Sequence, residues 1–355
     1  MHISIWLHRI RGLRRHVSRS GRASLCLTVV LVAGLLAPAA AANAAPGDPD
    51  NEGSNPSLKG ALEAASRGYL DAQAALEASK KRQAELASQL AGLEPRMAEL
   101  TAQAQRIAVA AYRNGGLRTA ATLLSAGSAD TFVDKANTLE FLARHDDELL
   151  RELTALRTKL TETKASIDAE IVKQQQQLEL MAKKKKEAEK ALASVDGRPT
   201  TGPATGPAPN NAPRAQPAPR RPDGSWPPES CRINDPTTSG CVTPRMLHAF
   251  QQARAAGFNR FCSCYRPGGP YEHPKGRACD FSATTNGFGG VATGGDKVYG
   301  DRLAAYFVRN ASQLAVLYVI WFERIWLPSS GWRAYRSGRG DPSSDHTNHV
   351  HLSVY

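Results

Sequence analysis

Two short motifs near the end of the chain contain the residue types that bind metal ions. The first holds His273 and Asp280, seven positions apart with Gly276 between them, and the second holds His349 and His351. Side chains at positions i and i+2 of a strand leave on the same face, so the second motif presents two imidazoles together if it forms a strand. Imidazole and carboxylate ligands suit zinc, and three protein ligands with one open position form a catalytic arrangement. The two motifs therefore predict a metal site.

The order of these motifs resembles the metallopeptidase superfamily that contains lysostaphin-type enzymes, D-Ala-D-Ala metallopeptidases and hedgehog domains. The matching residues are His273-x-x-Gly276-x-Ala278-x-Asp280 followed by His349-x-His351. The second motif, when extended to His346-x-x-His349-x-His351, resembles that of the penicillin-insensitive murein endopeptidases. The whole tail also resembles a C-terminal domain common in secreted actinobacterial coiled-coil proteins. The resemblance covers roughly the last third of the chain and implies a zinc peptidase of peptidoglycan.

The resemblance also implies roles for individual residues. His273, Asp280 and His351 are the expected zinc ligands, and a bend at Gly276 lets the first two reach one ion. One carboxylate leaves the zinc complex with a net charge of about +1, which still acidifies a bound water. Arg266 lies where D-Ala-D-Ala metallopeptidases have an arginine that stabilises the transition state or the substrate carboxylate. We therefore expect Arg266 to contact substrate, since a guanidinium forks well onto an oxyanion.

A catalytic base is needed within hydrogen-bond reach of the attacking water. Several relatives have a glutamate three residues before the last ligand, but this chain has Asn348 there, which cannot take a proton. We favour His346 as the base, with Asp345 as the second choice because hedgehog-type domains have a glutamate at its position. His349 is expected to donate a hydrogen bond to the tetrahedral oxyanion or to share the proton transfer.

Two other functions fit the same residues. Hedgehog domains show that this fold can hold zinc and act as a binding module, so the domain could be a non-catalytic, zinc-stabilised module that binds cell wall or protein. The chain could also be a scaffold whose upstream helices are the active part. In any of these functions, the charged neighbours Glu272 and Lys275 are expected to be solvated.

Residues 1–44 have the composition of a secretory signal peptide. Six arginines precede the apolar run Leu25–Ala37, and Ala42-Asn43-Ala44 is a small-x-small cleavage site. The apolar run is shorter than the roughly 20 residues that span a bilayer, which disfavours the alternative of a membrane anchor. The sequence therefore predicts a secreted protein, extracellular or associated with the cell wall.

Export makes disulfides the default state of the cysteines. Five cysteines follow the signal segment, so at most two disulfides form and one thiol stays free. They are Cys231, Cys241, Cys262, Cys264 and Cys279. Cys231 with Cys241 is one local pairing, but spacing does not fix the connectivity. A zinc–cysteine cluster is the competing interpretation, and the short Cys262-x-Cys264 spacing disfavours it.

Residues 57–195 carry apolar side chains in alternating steps of four and three, which is typical of a coiled coil. Pro95 is expected to kink the first helix, and Asn114-Gly115-Gly116 to end it. A second helix is expected from about Asp134 to Val195. Two long helices joined by a short connection predict an antiparallel hairpin.

The hairpin is either a spacer or a regulatory arm. The segments Ala111–Gly116 and Leu123–Ala126 resemble the coiled coils attached to secreted peptidoglycan hydrolases. That resemblance implies an arm that docks on a membrane or divisome-type protein partner and restrains the catalytic domain until it is needed.

Residues 196–229 are rich in proline, alanine and glycine and are expected to form a flexible linker. Residues 230–355 follow, with helix and strand patterns that predict an α+β domain with a small antiparallel sheet. The formal charge of the chain is +12, which fits a polyanionic wall, and no nucleic-acid-binding pattern is present. The sequence as a whole predicts a zinc-dependent peptidoglycan peptidase that cleaves stem-peptide or cross-link amides and is regulated or positioned by a coiled coil.

Overall fold

The computed structural model describes residues 55–203 and 213–355, with only the backbone described for residues 114–119. The expected signal peptide and the middle of the expected linker lie outside the described residues. Among the residues described, no helix combines the length and the apolar composition that a membrane span requires.

Two long helices form the predicted hairpin: α1 spans Pro56–Leu124 and α2 spans Ala129–Leu192. The Asn55 side chain caps α1 by accepting from the amides of Ser57 and Leu58, each at 3.1 Å. The Ser128 hydroxyl caps α2 by accepting from the amide of Thr131 at 3.2 Å. Both caps satisfy backbone donors that have no partner within the helix.

The turn of the hairpin lies further along the chain than the sequence suggested. Helix α1 continues through Pro95 and past Gly115 and Gly116, and ends at Leu124. Each glycine costs about 1 kcal/mol of helix propensity, a cost that pairing with α2 offsets. The turn instead occurs just before Ser128, which caps the second helix. The prediction that α1 ends at Gly115-Gly116 was therefore wrong.

A polar pair in the apolar seam marks the alignment of the two helices. The Ser79 hydroxyl donates to Glu170 Oε2 at 2.6 Å, and Arg82 donates to both Glu170 oxygens at 3.3 Å. Gln174 donates to Gln83 at 2.8 Å beside them. Ser79 and Glu170 are buried, and a buried polar group is costly without its partner. The pair therefore favours this alignment over a slipped one.

The polar pair also predicts a pH dependence of the hairpin. Lys173, Ser79 and Arg82 lower the pKa of Glu170 from 4.5 to about 2. The carboxylate therefore stabilises the hairpin above pH 4.5, and this contribution is lost as the pH falls towards 2. We expect the melting temperature of the wild type to fall more steeply over this range than that of Glu170→Gln, as measured by circular dichroism.

The control for this comparison is Glu152→Gln on the same helix. Glu152 pairs with Arg96 at 2.8 Å, but both side chains are nearly half exposed. This variant should follow the wild type in its pH dependence. Equal slopes for Glu170→Gln and the wild type would contradict the assignment.

The C-terminal region is an α+β domain built on a seven-stranded antiparallel sheet of order β1-β8-β7-β6-β9-β5-β4. Strands β2 and β3 pair separately. The strands are β1 (Asp196–Pro199), β2 (Ile233–Asn234), β3 (Cys241–Val242), β4 (Cys262–Ser263), β5 (Ala278–Ser282), β6 (Val316–Ile320), β7 (Arg324–Leu327), β8 (Gly331–Tyr335) and β9 (His349–Val354). Helices α3 (Pro244–Ala255), α4 (Gly294–Arg309) and α5 (Ala311–Leu314) complete the domain.

The sheet buries both faces. On one face, residues of β5 and β9 such as Phe281 and Leu352 pack against helices α3 and α4. On the other face, Tyr318 and Ile320 of β6 pack against the open end of the hairpin. The hairpin residues in this second core are Leu58, Leu62, Ala65, Ala188 and Leu192.

The expected flexible linker is structured in both of its described parts. Asp196–Pro199 is edge strand β1 and pairs with β8. Further on, Ala215, Ala218 and Trp226 are buried, and the Ala218 amide donates to the carbonyl of Gln313 at 2.8 Å. Composition missed this because a proline-rich segment can lie extended over a domain and bury its few apolar side chains there.

Candidate metal centre

The sheet places one residue of each histidine-containing motif side by side. Strands β5 and β9 are antiparallel neighbours, with Asp280 directly opposite His351 and Ser282 opposite His349. Directly opposed side chains on one face lie close together. The alternation that sends Phe281 and Val350 to the α3–α4 core turns Asp280, His349 and His351 to the other face.

His273 reaches this face from a tight turn before β5. The turn closes with the Gly276 amide donating to the carbonyl of His273 at 3.0 Å, and Gly276 has a positive φ of 67°. A β-carbon at Gly276 would lie 2.8 Å from both the Cys241 carbonyl oxygen and the Val242 α-carbon. Both the backbone conformation and the close approach to β3 therefore require glycine.

Gly276→Ala is expected to lower the melting temperature and to weaken metal binding, because the clash moves the turn that carries His273. The matched control is Gly257→Ala, since Gly257 has a φ of 92° but open space around it. The control should lose about 1–2 kcal/mol from the backbone conformation alone and keep its metal affinity. Equal metal affinities in the two variants would show that the turn does not position the site.

Three potential ligand atoms converge on one point. Asp280 Oδ1 lies 2.9 Å from His351 Nδ1 and 3.4 Å from His273 Nε2, and the two histidine nitrogens are 3.3 Å apart. A metal ion bound at about 2.0–2.2 Å needs its ligand atoms within about 4 Å of one another. The three residues are almost fully buried, and their donor set could hold a metal ion. The three side chains therefore converge, and their role as metal ligands stays a prediction.

The other ring nitrogens of the two histidines have partners that fix the rings. His273 Nδ1 donates to the carbonyl of Cys264, which leaves Nε2 as the inward lone pair. His351 Nε2 lies 2.8 Å from the Ser353 hydroxyl, while Nδ1 faces Asp280 Oδ1. Tyr318 stacks on His351 with ring centroids 5.5 Å apart and planes 8° apart. Such outer contacts set the tautomer and orientation of metal-binding histidines.

Two more imidazoles border the three ligand atoms. His349 Nδ1 donates to Asn348 Oδ1 at 2.7 Å and its Nε2 lies 3.4 Å from Asp280 Oδ1. His346 Nδ1 donates to the Ser344 carbonyl at 3.1 Å, and its ring centroid lies 4.9 Å from that of His349. In each ring, the Nδ1 hydrogen bond leaves the lone pair on Nε2.

Asn348 therefore orients His349, a role that the sequence comparison did not suggest. Its amide nitrogen donates to the Gly289 carbonyl at 2.9 Å and to the Ser343 hydroxyl at 3.0 Å. These contacts fix which end of the amide faces His349. The sequence did show Asn348 at the position where several relatives have a glutamate. Only the fold shows which groups its amide contacts.

The remaining two predicted site residues lie elsewhere or make different contacts. Asp345 accepts from the Gly340 amide at 3.4 Å, and no described contact joins its carboxylate to the imidazoles. Arg266 does reach the cluster, but its described contact is with Asp280 Oδ2. The structure thus brings together His273, Asp280, His351, His349 and His346, and joins Arg266 to Asp280.

Burial dominates the electrostatics of the cluster. Burial by itself raises the pKa of Asp280, but His273, His349 and Arg266 together hold it well below its usual range. Burial lowers the pKa of His349 to about 4, with Asp280 opposing the shift. Burial, reinforced by His349 and His351, lowers the pKa of His346 well below its usual value. The cluster therefore combines a carboxylate whose ionised form is favoured with two imidazoles, those of His346 and His349, whose protonation burial disfavours.

The cysteines form two disulfides, Cys231–Cys241 and Cys264–Cys279. Cys262 is free and buried, and burial raises the pKa of its thiol. One disulfide joins the residue after β4 to β5 next to the cluster, since Cys264 supplies the carbonyl for His273 and Cys279 precedes Asp280. Two bridges and one free thiol match the sequence expectation.

The first turns of α1 lie over the face that carries the cluster. Leu58 and Leu62 share a core with Tyr318, which stacks on His351. The Lys59 ammonium lies 5.0 Å from the ring centroid of Tyr271 and is close enough to His346 to lower its pKa. This part of α1 therefore packs on the face of the sheet that carries the cluster.

An ion cluster joins the same part of α1 to the turn that carries His273. Glu63 accepts from Lys275 and Arg277, each at 3.1 Å. Glu272 accepts from Lys275 at 2.9 Å and pairs with Arg277 at 2.7 Å and Arg67 at 3.5 Å. Glu272 is 1% exposed, so the expectation that it is solvated was wrong. It is buried because α1 covers this turn.

Residues 238–349 match the family described as VldE, C-terminal domain. The match includes His273, Asp280, His346 and His349 and ends two residues before His351. No curated protein and no solved structure matches the chain.

Proposed function

We propose that the protein is a secreted, zinc-dependent peptidase of peptidoglycan, which hydrolyses a stem-peptide or cross-link amide. The observation that carries the proposal is the convergence of His273 Nε2, Asp280 Oδ1 and His351 Nδ1 beside two further imidazoles. The substrate class rests on the likeness of the two motifs to the lysostaphin, D-Ala-D-Ala metallopeptidase and murein endopeptidase superfamily.

The ligand set fits zinc, because two imidazoles and one carboxylate are its common ligands in catalytic sites. Zinc, when bound, supplies Lewis acidity towards an amide carbonyl and towards water. His346 takes a proton at Nε2, since its Nδ1 is held by the Ser344 carbonyl. His349, held by Asn348 through Nδ1, has its Nε2 lone pair next to the Asp280 carboxylate, where it would receive the proton that His346 takes from water and pass it on to the leaving amine.

The two disulfides and the absence of a membrane-spanning helix among the described residues are consistent with export into an oxidising compartment. The charge of +12 favours binding to a polyanionic wall. We therefore place the protein outside the cell or in the cell wall, with no nucleic-acid partner.

The covering of the cluster supports a regulatory arm over a simple spacer. The proposed ligands are at most 1% exposed, and we infer that substrate reaches them when the first turns of α1, which pack on the same face, move away. In this proposal, the hairpin holds the site closed until a membrane or divisome-type protein binds the far end of the hairpin.

The test is hydrolysis of purified peptidoglycan by the full chain, first dialysed against a chelator and then assayed with and without zinc. The wild type is compared with Leu62→Ala, which loosens the cover. We expect new amino groups and soluble peptides only with zinc, and more of both from the variant. No release from either protein under either condition would reject the peptidase.

The burial of the cluster also favours a second function, a non-catalytic module that zinc stabilises for binding to wall or protein. It predicts that zinc raises the melting temperature and that the protein sediments with peptidoglycan without cutting it. The hydrolysis assay and the sedimentation assay on the same samples separate the two functions.

A further inference from the structure

The two oxygens of the Asp280 carboxylate have different surroundings. Oδ1 faces the imidazoles, at 2.9 Å from His351 Nδ1 and 3.4 Å from both His273 Nε2 and His349 Nε2. Oδ2 accepts a hydrogen bond from a terminal nitrogen of Arg266. One oxygen is thus directed to the metal position, and a charged donor occupies the other.

The segment that carries Arg266 is held firmly. The amide of Tyr265 donates to Asp235 Oδ2 at 2.7 Å, and the amide of Cys264 donates to the Thr237 hydroxyl at 2.9 Å. Cys264 is also bonded to Cys279, the neighbour of Asp280. The guanidinium therefore lies on the segment that follows β4 and the carboxylate on β5, and a disulfide and strand pairing hold the two segments together.

Both partners are removed from solvent. The Arg266 side chain is 11% exposed and the Asp280 side chain 2%. A buried carboxylate is costly without a counter-charge, and Arg266 provides one whether or not a metal ion is present. With Oδ2 engaged, Asp280 has a single oxygen free for the metal.

We propose that Arg266 is a positioning residue of the metal centre, which holds Asp280 as a ligand through one oxygen, instead of a residue that contacts substrate. This inference rests on the proposed metal centre. It replaces the expectation from the sequence that Arg266 binds the oxyanion or the substrate carboxylate. A lysine keeps the charge but cannot reproduce the planar, directed donors of the guanidinium.

The experiment compares the wild type with Arg266→Lys and Arg266→Gln in the full chain. Zinc affinity is measured by competition with a chromogenic chelator. We expect affinity to fall by about 10-fold in Arg266→Lys and about 100-fold in Arg266→Gln, the range found when outer contacts of metal ligands are removed. The cobalt-loaded variants should absorb more weakly in the visible range, because a second carboxylate oxygen raises the coordination number.

The matched control is Arg333→Lys. Arg333 is 14% exposed and pairs with Glu189 of α2, so its replacement disturbs a similar ion pair away from the cluster. It should leave both the zinc affinity and the cobalt spectrum unchanged.

An unchanged zinc affinity and cobalt spectrum in Arg266→Lys, together with reduced hydrolysis, would show that Arg266 acts on the substrate. That result would overturn this inference and leave the proposed function standing. A wild type that binds no metal would overturn both the inference and the proposed function. If the Arg266 variants do not fold, a crystal structure of the zinc-loaded wild type shows how many oxygens of Asp280 bind the metal. One bonded Asp280 oxygen supports the inference, and two refute it.

Discussion

Asp280→Asn is expected to abolish tight zinc binding and, with it, all hydrolysis of peptidoglycan. The substitution keeps the shape of the side chain but removes the charge that faces His273 and His351 at the centre of the cluster. Loss of outer contacts alone weakens metal sites by about 10- to 100-fold, so loss of a ligand charge should exceed 100-fold. Elemental analysis after dialysis and chelator competition give the measurement.

The control for this prediction is Asp301→Asn. Asp301 is also buried, but it accepts from Lys297 and from the indole of Trp321 on the opposite face of the sheet. This variant should bind zinc with the stoichiometry of the wild type even if it is less stable. Zinc retention by Asp280→Asn at the wild-type level would show that the metal, if bound, lies elsewhere.

Leu62→Ala is expected to increase peptidoglycan hydrolysis and the rate of zinc removal by a chelator, each by at least about tenfold. Leu62 is 1% exposed and anchors α1 to Tyr318 beside His351. A buried leucine-to-alanine change costs about 2–5 kcal/mol, and each 1.4 kcal/mol shifts an equilibrium about tenfold. The open state of the cover therefore gains population.

Leu100→Ala separates opening of the cover from general loss of stability. Leu100 is equally buried, but it lies within the hairpin and is absent from the core that α1 shares with the sheet. It should lower the melting temperature without speeding chelation. If Leu62→Ala and Leu100→Ala change hydrolysis and chelation to the same extent, α1 is a spacer and does not restrain the site.

The fold class could be predicted because its signals are local. The repeat of four and three residues in 57–195 specifies two helices with one apolar stripe each, and a short connection makes them antiparallel. The exact turn was missed because glycine propensity is a small local cost, while pairing along α2 is a summed, long-range gain. The alternation in β9 was equally local and placed His349 and His351 on one face.

The ordered ends of the expected linker show the limit of composition. Few apolar residues occur between 196 and 229, and a mobile chain is the natural expectation. The structure has Asp196–Pro199 in the sheet and Trp226 buried. A pairing with β8, more than a hundred residues away, leaves no periodic signal in so short a segment.

The sequence by itself determined the chemistry that is available: two histidines and an aspartate with metal-binding spacing, and two further imidazoles near them. Residue type and strand alternation suffice for this. Only the tertiary structure decided how those groups are used. It directed Arg266 to Asp280, fixed the Asn348 amide through the Gly289 carbonyl, buried Glu272 and placed the start of α1 on the face that carries the site. Each of these contacts joins residues through three-dimensional packing, and no local rule of spacing or propensity encodes which surface of a distant helix meets which face of a sheet.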